Sequence, residues 1–262
     1  MPSVCFYFQV HQPWRVKRYR VFDIGKDSSY FNEGGEANYN NQRILEKVAR
    51  KSYLPANAVM LELLQKHPEF RISYSFSGVF LEQLEKFSPE TLDSFKRLVE
   101  TGRVEILSET YYHSLSALFS PQEFREQVGL HREKIKKLFG YTPRVFRNTE
   151  LIYSNAIAKE AEAMGYRGIL AEGADHVLEW RSPNFLYSPK GTKKIALLLK
   201  NYRLSDDIAF RFSSRDWAEF PLTAPKFAGW VNAVNGGGEG VNLFMDYETF
   251  GEHQWEDTGI FN

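Results

Sequence analysis

Val241-Asn-Leu-Phe-Met-Asp-Tyr-Glu-Thr-Phe-Gly-Glu-His253 opens as a short apolar run and ends in a cluster of ionisable groups. Gly236 to Gly238 and Gly240 stand before it, so the run reads as a buried strand entered through a turn. Asp246, Glu248, Glu252 and His253 then arrive within eight positions. Ionised carboxylates at the end of a buried strand are costly unless they are paired, hydrogen-bonded or face a wet cleft. By itself the stretch fits two readings equally: the mouth of a catalytic cleft, or a strand running out into a solvated acidic loop.

The same pattern recurs upstream. Val4 to Val10 reads as a first strand ending in His11-Gln12-Pro13, and a long segment with little periodicity follows from Trp14 to about Asn40. Arg15, Lys17, Arg18 and Arg20 cluster in that segment and read as a solvated loop over a cleft. Helical spacing starts at Asn41, with Pro55 opening a second helix. Phe70 to Phe76, Val104 to Leu107, Arg144 to Phe146, Arg167 to Ala171 and Ile195 to Leu199 read as further strands. Ser88-Pro89 and Ser120-Pro121-Gln122-Glu123 are helix starts with a capping serine and a proline in the first turn, and Gly102, Gly140 and Gly165 are stops. Asp206 to Phe212 and Ala224 to Val234 also read as helical.

Seven strands, most followed by a helix, predict a parallel sheet covered by helices. Nearly every polar cluster falls just past the C-terminal end of a strand, the face that carries the active site in barrels of this kind. The α/β class, as a single seven-stranded (β/α)7 barrel resembling an irregular TIM barrel over residues 1–262, is the expectation; an open doubly wound sheet is the alternative.

Composition narrows the function. Lys plus Arg (33) equals Asp plus Glu (33), so no overall field favours nucleic acid or an anionic membrane. One cysteine, Cys5, precludes an internal disulfide, fits a reducing, cytoplasmic setting, and is expected to be a small core residue. The six histidines at 11, 67, 113, 131, 176 and 253 include no pair within five positions, so a local zinc motif is absent and neither metal nor cofactor is expected. This weighs against a metal-dependent carbohydrate deacetylase. Gly236 to Gly240 precedes a strand, whereas a phosphate-cradling loop follows one, which removes a dinucleotide site.

Cleavage of a glycosidic bond needs two carboxyl groups flanking the sugar, roughly 5–5.5 Å apart in retaining enzymes, one ionised to attack and one protonated to donate. Glu150 and Asp246 end the fourth and seventh strands and would face each other across a closed barrel, with Glu109, Glu172, Asp175 and Glu248 as rivals. Four blocks carry a resemblance: His11-Gln12-Pro13, Gly102-Arg-Val-Glu-Ile-Leu-Ser-Glu-Thr-Tyr-Tyr-His113, Phe146-Arg-Asn-Thr-Glu-Leu151 and Phe244-Met-Asp-Tyr-Glu-Thr-Phe-Gly-Glu-His253. In order and in kind they resemble four of the five signature regions of glycoside hydrolase family 57, and its α-amylase-like members above all.

The resemblance implies a seven-stranded barrel, a retaining mechanism and an α-glucan or maltooligosaccharide substrate. It matches Glu150 to the nucleophile, Asp246 to the general acid/base, and His11 and His113 to residues near the sugar at the point of cleavage. Glu248, on Asp246's side of the strand if the extended conformation continues, would join the substrate-binding set and raise the pKa of Asp246 by like-charge repulsion. Arg147 or Asn148 would compensate the charge of Glu150. Glucan transfer or branching by the same family, and a non-catalytic glucan-binding barrel, remain as alternatives; oligomeric state is not legible. One departure stands out: members of the family continue into a helical region, whereas this sequence ends at Asn262, nine residues past His253. An apolar surface is expected to be exposed where such helices would dock.

Overall fold

A computed structural model describes residues 2–31 and 37–261; residues 32–36, inside the long segment after the first strand, fall outside the description. β1 (Ser3–Val10) leads to α1 (Asn41–Val48) and α2 (Leu54–Lys66), which a π-helical turn at Ala49–Tyr53 joins into one rod. β2 (Ile72–Phe76) is followed by α3 (Gly78–Phe87) and α4 (Pro89–Glu100). β3 (Val104–Leu107) leads to α5 (Ser116–Phe119) and α6 (Pro121–Phe139), and β4 (Val145–Arg147) to α7 (Asn155–Ala163). β5 (Gly168–Glu172) runs into the single turn α8 (Asp175–Leu178). β6 (Ala196–Lys200) precedes α9 (Tyr202–Ala209) and α10 (Ala224–Asn232), and β7 (Gly240–Asp246) completes the series. No helix among the described residues is long and apolar enough to cross a membrane.

The strands pair in parallel in the order β3-β2-β1-β7-β6-β5-β4. Ser108 bridges the two ends of that row: its amide donates to Val145 O (2.9 Å) and its carbonyl accepts from Arg147 N (2.8 Å). The sheet is therefore a nearly closed barrel of seven parallel strands, not an open doubly wound sheet. Within the row the sparsest pairing is β6 to β7, made only at Lys200 and Asn242, where the Asn242 side chain adds a bond to Leu199 O (3.1 Å).

Alternation along each strand sorts the residues. On β1, Phe8 and Val10 face outward into a core shared with α1 to α4, where Tyr53, Tyr74, Phe76, Phe80, Phe95 and Tyr247 meet. A second outer core packs Phe124, Val128, Ile157 and Ala161 on Phe146, Ile169 and Leu197. Inside the barrel, Tyr7, Leu107, Leu151 and Leu170, with Val145, Leu198 and Phe244 against them, fill the middle. Above this plug the inward positions change character to Gln9, Ser75, Arg147, Glu172, Lys200 and Asp246. An apolar floor under a polar rim is what the two-residue period yields when the last inward residue of six of the seven strands is polar, β3 ending inward on Leu107 with Glu109 just beyond it.

Several local expectations are corrected. Cys5 is exposed, because it points inward at the N-terminal end of the barrel, where the interior opens as a groove alongside Ser73 and Glu105. Between Phe76 and Ser88 no helix was expected; α3 forms there because Ser77 accepts from Phe80 N (3.3 Å) and Phe80, Leu81 and Leu84 make a buried stripe. Ser88 caps no backbone amide and bonds Thr91 Oγ1 instead (2.7 Å). The helix expected from Asp206 starts at Tyr202, capped by Asn201. Ser120 and Gly140 (φ 64°) do begin and end α6.

Candidate active site

The rim residues and the turns beyond them assemble one site at the C-terminal end of the barrel. β4 and β7 lie across the ring from each other, and Glu150 and Asp246 stand at their ends. Glu150 follows a tight turn in which it and Leu151 take left-handed backbone angles (φ 53° and 54°), a conformation costing about 1–3 kcal/mol at each such residue. Asn148 holds the turn by donating to Ile152 O (3.0 Å). The turn lifts the Glu150 carboxylate out of the barrel wall into solvent.

Asp246 also opens to solvent on one side. Crowding by the surrounding protein raises its pKa; Arg147 and His253 oppose that rise, and the charge of Glu150 adds to it. Arg147 lies beneath both acids, 1% exposed, with its guanidinium 5.0 Å above the Phe244 ring. Glu109, Glu150 and Asp246 all act on its charge. Its Nη1 approaches Glu109 Oε2 at 3.5 Å, and neither Nε nor Nη1 has a hydrogen-bond acceptor among the described residues.

The two histidines meet. His11, just past β1, stacks on His113, just past β3, with ring centres 4.1 Å apart and planes 23° from parallel. His11 Nδ1 lies 2.6 Å from Ser77 Oγ. Burial first, then the charge of His113, brings the pKa of His11 down to about 4. For His113 burial acts downward too, but its bond and charge interaction with Glu109 outweigh it and raise the pKa. His113 contacts two carboxylates: Nδ1 lies 3.0 Å from Glu109 Oε2 and Nε2 lies 3.0 Å from Glu150 Oε1.

Glu248 stands elsewhere than expected. The chain turns into a 3-10 helix at Tyr247–Thr249 instead of staying extended. Glu248 is consequently 6% exposed and takes a hydrogen bond from Tyr53 behind Asp246. Burial, reinforced by Asp246 and opposed by Tyr53, pushes its pKa up to about 7. The other rival carboxylates disperse. Asp175 is tied at the surface by Tyr202 (2.7 Å) and Arg203 (2.9 Å), and Glu172 pairs with Lys200. Glu252 bridges Lys47 and Lys51.

Sequence reasoning ranked Glu109 only as a rival and passed over Gln9, Ser75 and Tyr53. Their one sequence signal is that Gln9 and Ser75 are inward polar residues near strand ends. Among the described residues no group of three or more His, Cys, Asp or Glu side chains is placed to hold a metal ion. Exposed apolar side chains, Tyr112, Leu115 and Phe119 after β3 and Val177 and Trp180 after β5, border the connections at this end.

Comparison with known proteins agrees with this architecture. A protein of Methanocaldococcus jannaschii called "Putative alpha-amylase" is 48% identical over 260 residues, covering 98% of this chain and 54% of that protein. The chain thus spans about half the length of that relative. Among solved structures, the 4-alpha-glucanotransferase of Thermococcus litoralis superposes with a TM-score of 0.72 at 20% identity, over 99% of this chain and 37% of that one. A branching enzyme of Thermococcus kodakaraensis superposes with a TM-score of 0.71 at 13% identity, over 99% and 66% respectively. At those identities the likeness is one of fold. The family model for glycosyl hydrolase family 57 matches residues 5–262, and on that match this chain belongs to glycosyl hydrolase family 57.

Proposed function

We propose that this chain carries the catalytic barrel of a retaining enzyme that acts on α-linked glucans, with Glu150 as nucleophile and Asp246 as general acid/base. The observation that supports it most is the placement of these two carboxyl groups on opposing strands at one mouth, each within the field of Arg147. The family, and the name "Putative alpha-amylase" of a 48% identical relative, support the substrate class.

In the first step Asp246 gives its proton to the glycosidic oxygen as the bond from that oxygen to the anomeric carbon breaks. An oxygen of Glu150 bonds to that carbon, and the leaving sugar departs as an alcohol. In the second step Asp246 takes a proton from water, whose oxygen attacks the anomeric carbon and frees Glu150. The raised pKa of Asp246 suits a group that must begin the cycle protonated. A sugar hydroxyl in place of water gives glucan transfer through the same ester. The names of relatives such as the glucanotransferase of Thermococcus litoralis keep that outcome in view.

Incubating the chain with maltoheptaose, alone and with added glucose as acceptor, tests the proposal. Shorter products, abolished in Glu150→Gln, are expected; elongated products would assign transfer instead of hydrolysis. Binding of maltoheptaose with neither cleavage nor transfer would refute the enzyme reading in favour of a glucan-binding barrel.

A further inference from the structure

Glu109 has no place in the two-step chemistry, yet it is the most enclosed carboxyl group at the site, 0% exposed. Three strands supply its partners. Oε1 accepts from Gln9 Nε2 (3.2 Å) on β1 and from Ser75 Oγ (3.2 Å) on β2, and Oε2 faces His113 and, at 3.5 Å, Arg147 on β4. Burial acts to raise its pKa, but the His113 bond and the Arg147 charge prevail and bring it down to about 2, so it is an anion.

The other ring nitrogen of His113 contacts Glu150. An ionised carboxylate only accepts hydrogen bonds, and a neutral imidazole has a single N–H. A neutral His113 that served Glu109 would therefore turn a lone pair on the Glu150 carboxylate. Both contacts are satisfied when both ring nitrogens carry protons. We propose that Glu109 is a positioning residue that holds His113 as an imidazolium, so that Nε2–H of His113 fixes Oε1 of Glu150 for attack on the sugar. The inference rests on the nucleophilic role given to Glu150 above.

The surroundings agree. The charged and titratable groups that face His113 are Glu109 beyond β3, Arg147 on β4, Glu150 beyond β4, His11 beyond β1 and Asp246 on β7; His131 of α6 acts on Glu109 from behind. His11 is neutral, as a ring stacked on a cation must be if the pair is not to repel. With Asp246 protonated, the two cations Arg147 and His113 balance the two anions Glu109 and Glu150. When Glu150 becomes an ester, Asp246 has released its proton, and the balance is unchanged. His113 can thus keep both protons through the whole cycle. The backbone fixes the geometry: His113 has φ 52°, and Thr110 Oγ1 lies 3.0 Å from Thr149 Oγ1, tying its loop to that of Glu150.

Nitrogen-15 spectra of the histidine side chains, assigned with His113→Gln, test this without any turnover. In the wild-type chain both nitrogens of His113 are expected to be protonated at about pH 6.5. Glu109→Gln should lower its titration midpoint by about one to three pH units, and Glu109→Asp should restore part of that shift. In activity, Glu109→Gln should move the alkaline fall of kcat to lower pH by a similar amount. A neutral tautomer in the wild-type spectrum overturns the proposal even if Glu109→Gln does not fold, and so does an unmoved midpoint in a folded Glu109→Gln. A chain that shows the imidazolium but cleaves no glucan refutes the enzyme reading and leaves the Glu109–His113 pairing standing without its catalytic use, whereas cleavage with a neutral His113 refutes only this inference.

Discussion

Replacing Glu248 with glutamine should make the protein more stable at alkaline pH and leave it less changed in acid. The wild-type carboxyl is buried, and its pKa rises from the ordinary glutamate value of 4.5 to about 7. Between those values the unfolded chain has released a proton that the folded chain retains. The folded state then binds more protons, so stability falls as pH rises through this window. The contribution is fully present below about pH 4.5 and lost above about pH 7. At about 1.4 kcal/mol for each pKa unit, the loss amounts to roughly 3 kcal/mol. The substituted glutamine has nearly the same shape and can still accept from Tyr53, but it has no proton to lose. Any fixed cost of fitting the amide is present at every pH and cancels when the difference between the two proteins is followed across pH. Urea unfolding of both proteins from about pH 4 to about pH 8.5, with midpoints and slopes fitted together, measures that difference. It should climb in favour of the variant by about 3 kcal/mol. A difference that stays flat across the range would mean that burial does not hold the proton on Glu248.

Two other substitutions probe the site from different sides. Asp246→Asn removes the proton donor and should cut kcat on maltoheptaose by about 10²–10⁴-fold while the sugar still binds; a rate within a few-fold of wild type would remove Asp246 from the chemistry. Gly78→Ala places a new carbon 2.5 Å from the Tyr111 ring, on the turn that carries His113. It should destabilise the protein by about 1–3 kcal/mol in thermal or urea unfolding and slow turnover together, and a variant as stable and active as wild type would show the turn to be more yielding than its packing implies.

The seven strands were legible because each is a short apolar run between turn signals, and α4 and α6 because Ser-Pro starts and glycine stops frame them. The one-turn Ser77 cap before α3 was not legible, since its apolar stripe follows the strand β2 without a break in hydrophobicity. Asp246 and Glu150 were singled out by motif blocks, which record what similar sequences do, rather than by any local signal that distinguishes them from Glu109, Glu172 or Asp175.

The sequence by itself determined the strand-helix alternation, the parallel α/β class and the fact that polar residues gather beyond strand ends, because these follow from periodicity and capping within a dozen residues; that the sheet closes was decided by Ser108 meeting Val145 and Arg147. Only the tertiary structure decided which carboxyl groups share a site and in what state. Glu109 is made a buried anion by Gln9, Ser75, His113 and Arg147, drawn from strands that are neighbours only after the barrel closes. Glu248 is turned away behind Asp246, where burial holds its proton against the opposing hydrogen bond from Tyr53, 195 positions earlier in the chain. A charge is set by everything within a few ångströms of it, and that neighbourhood exists only once the strands have met in register.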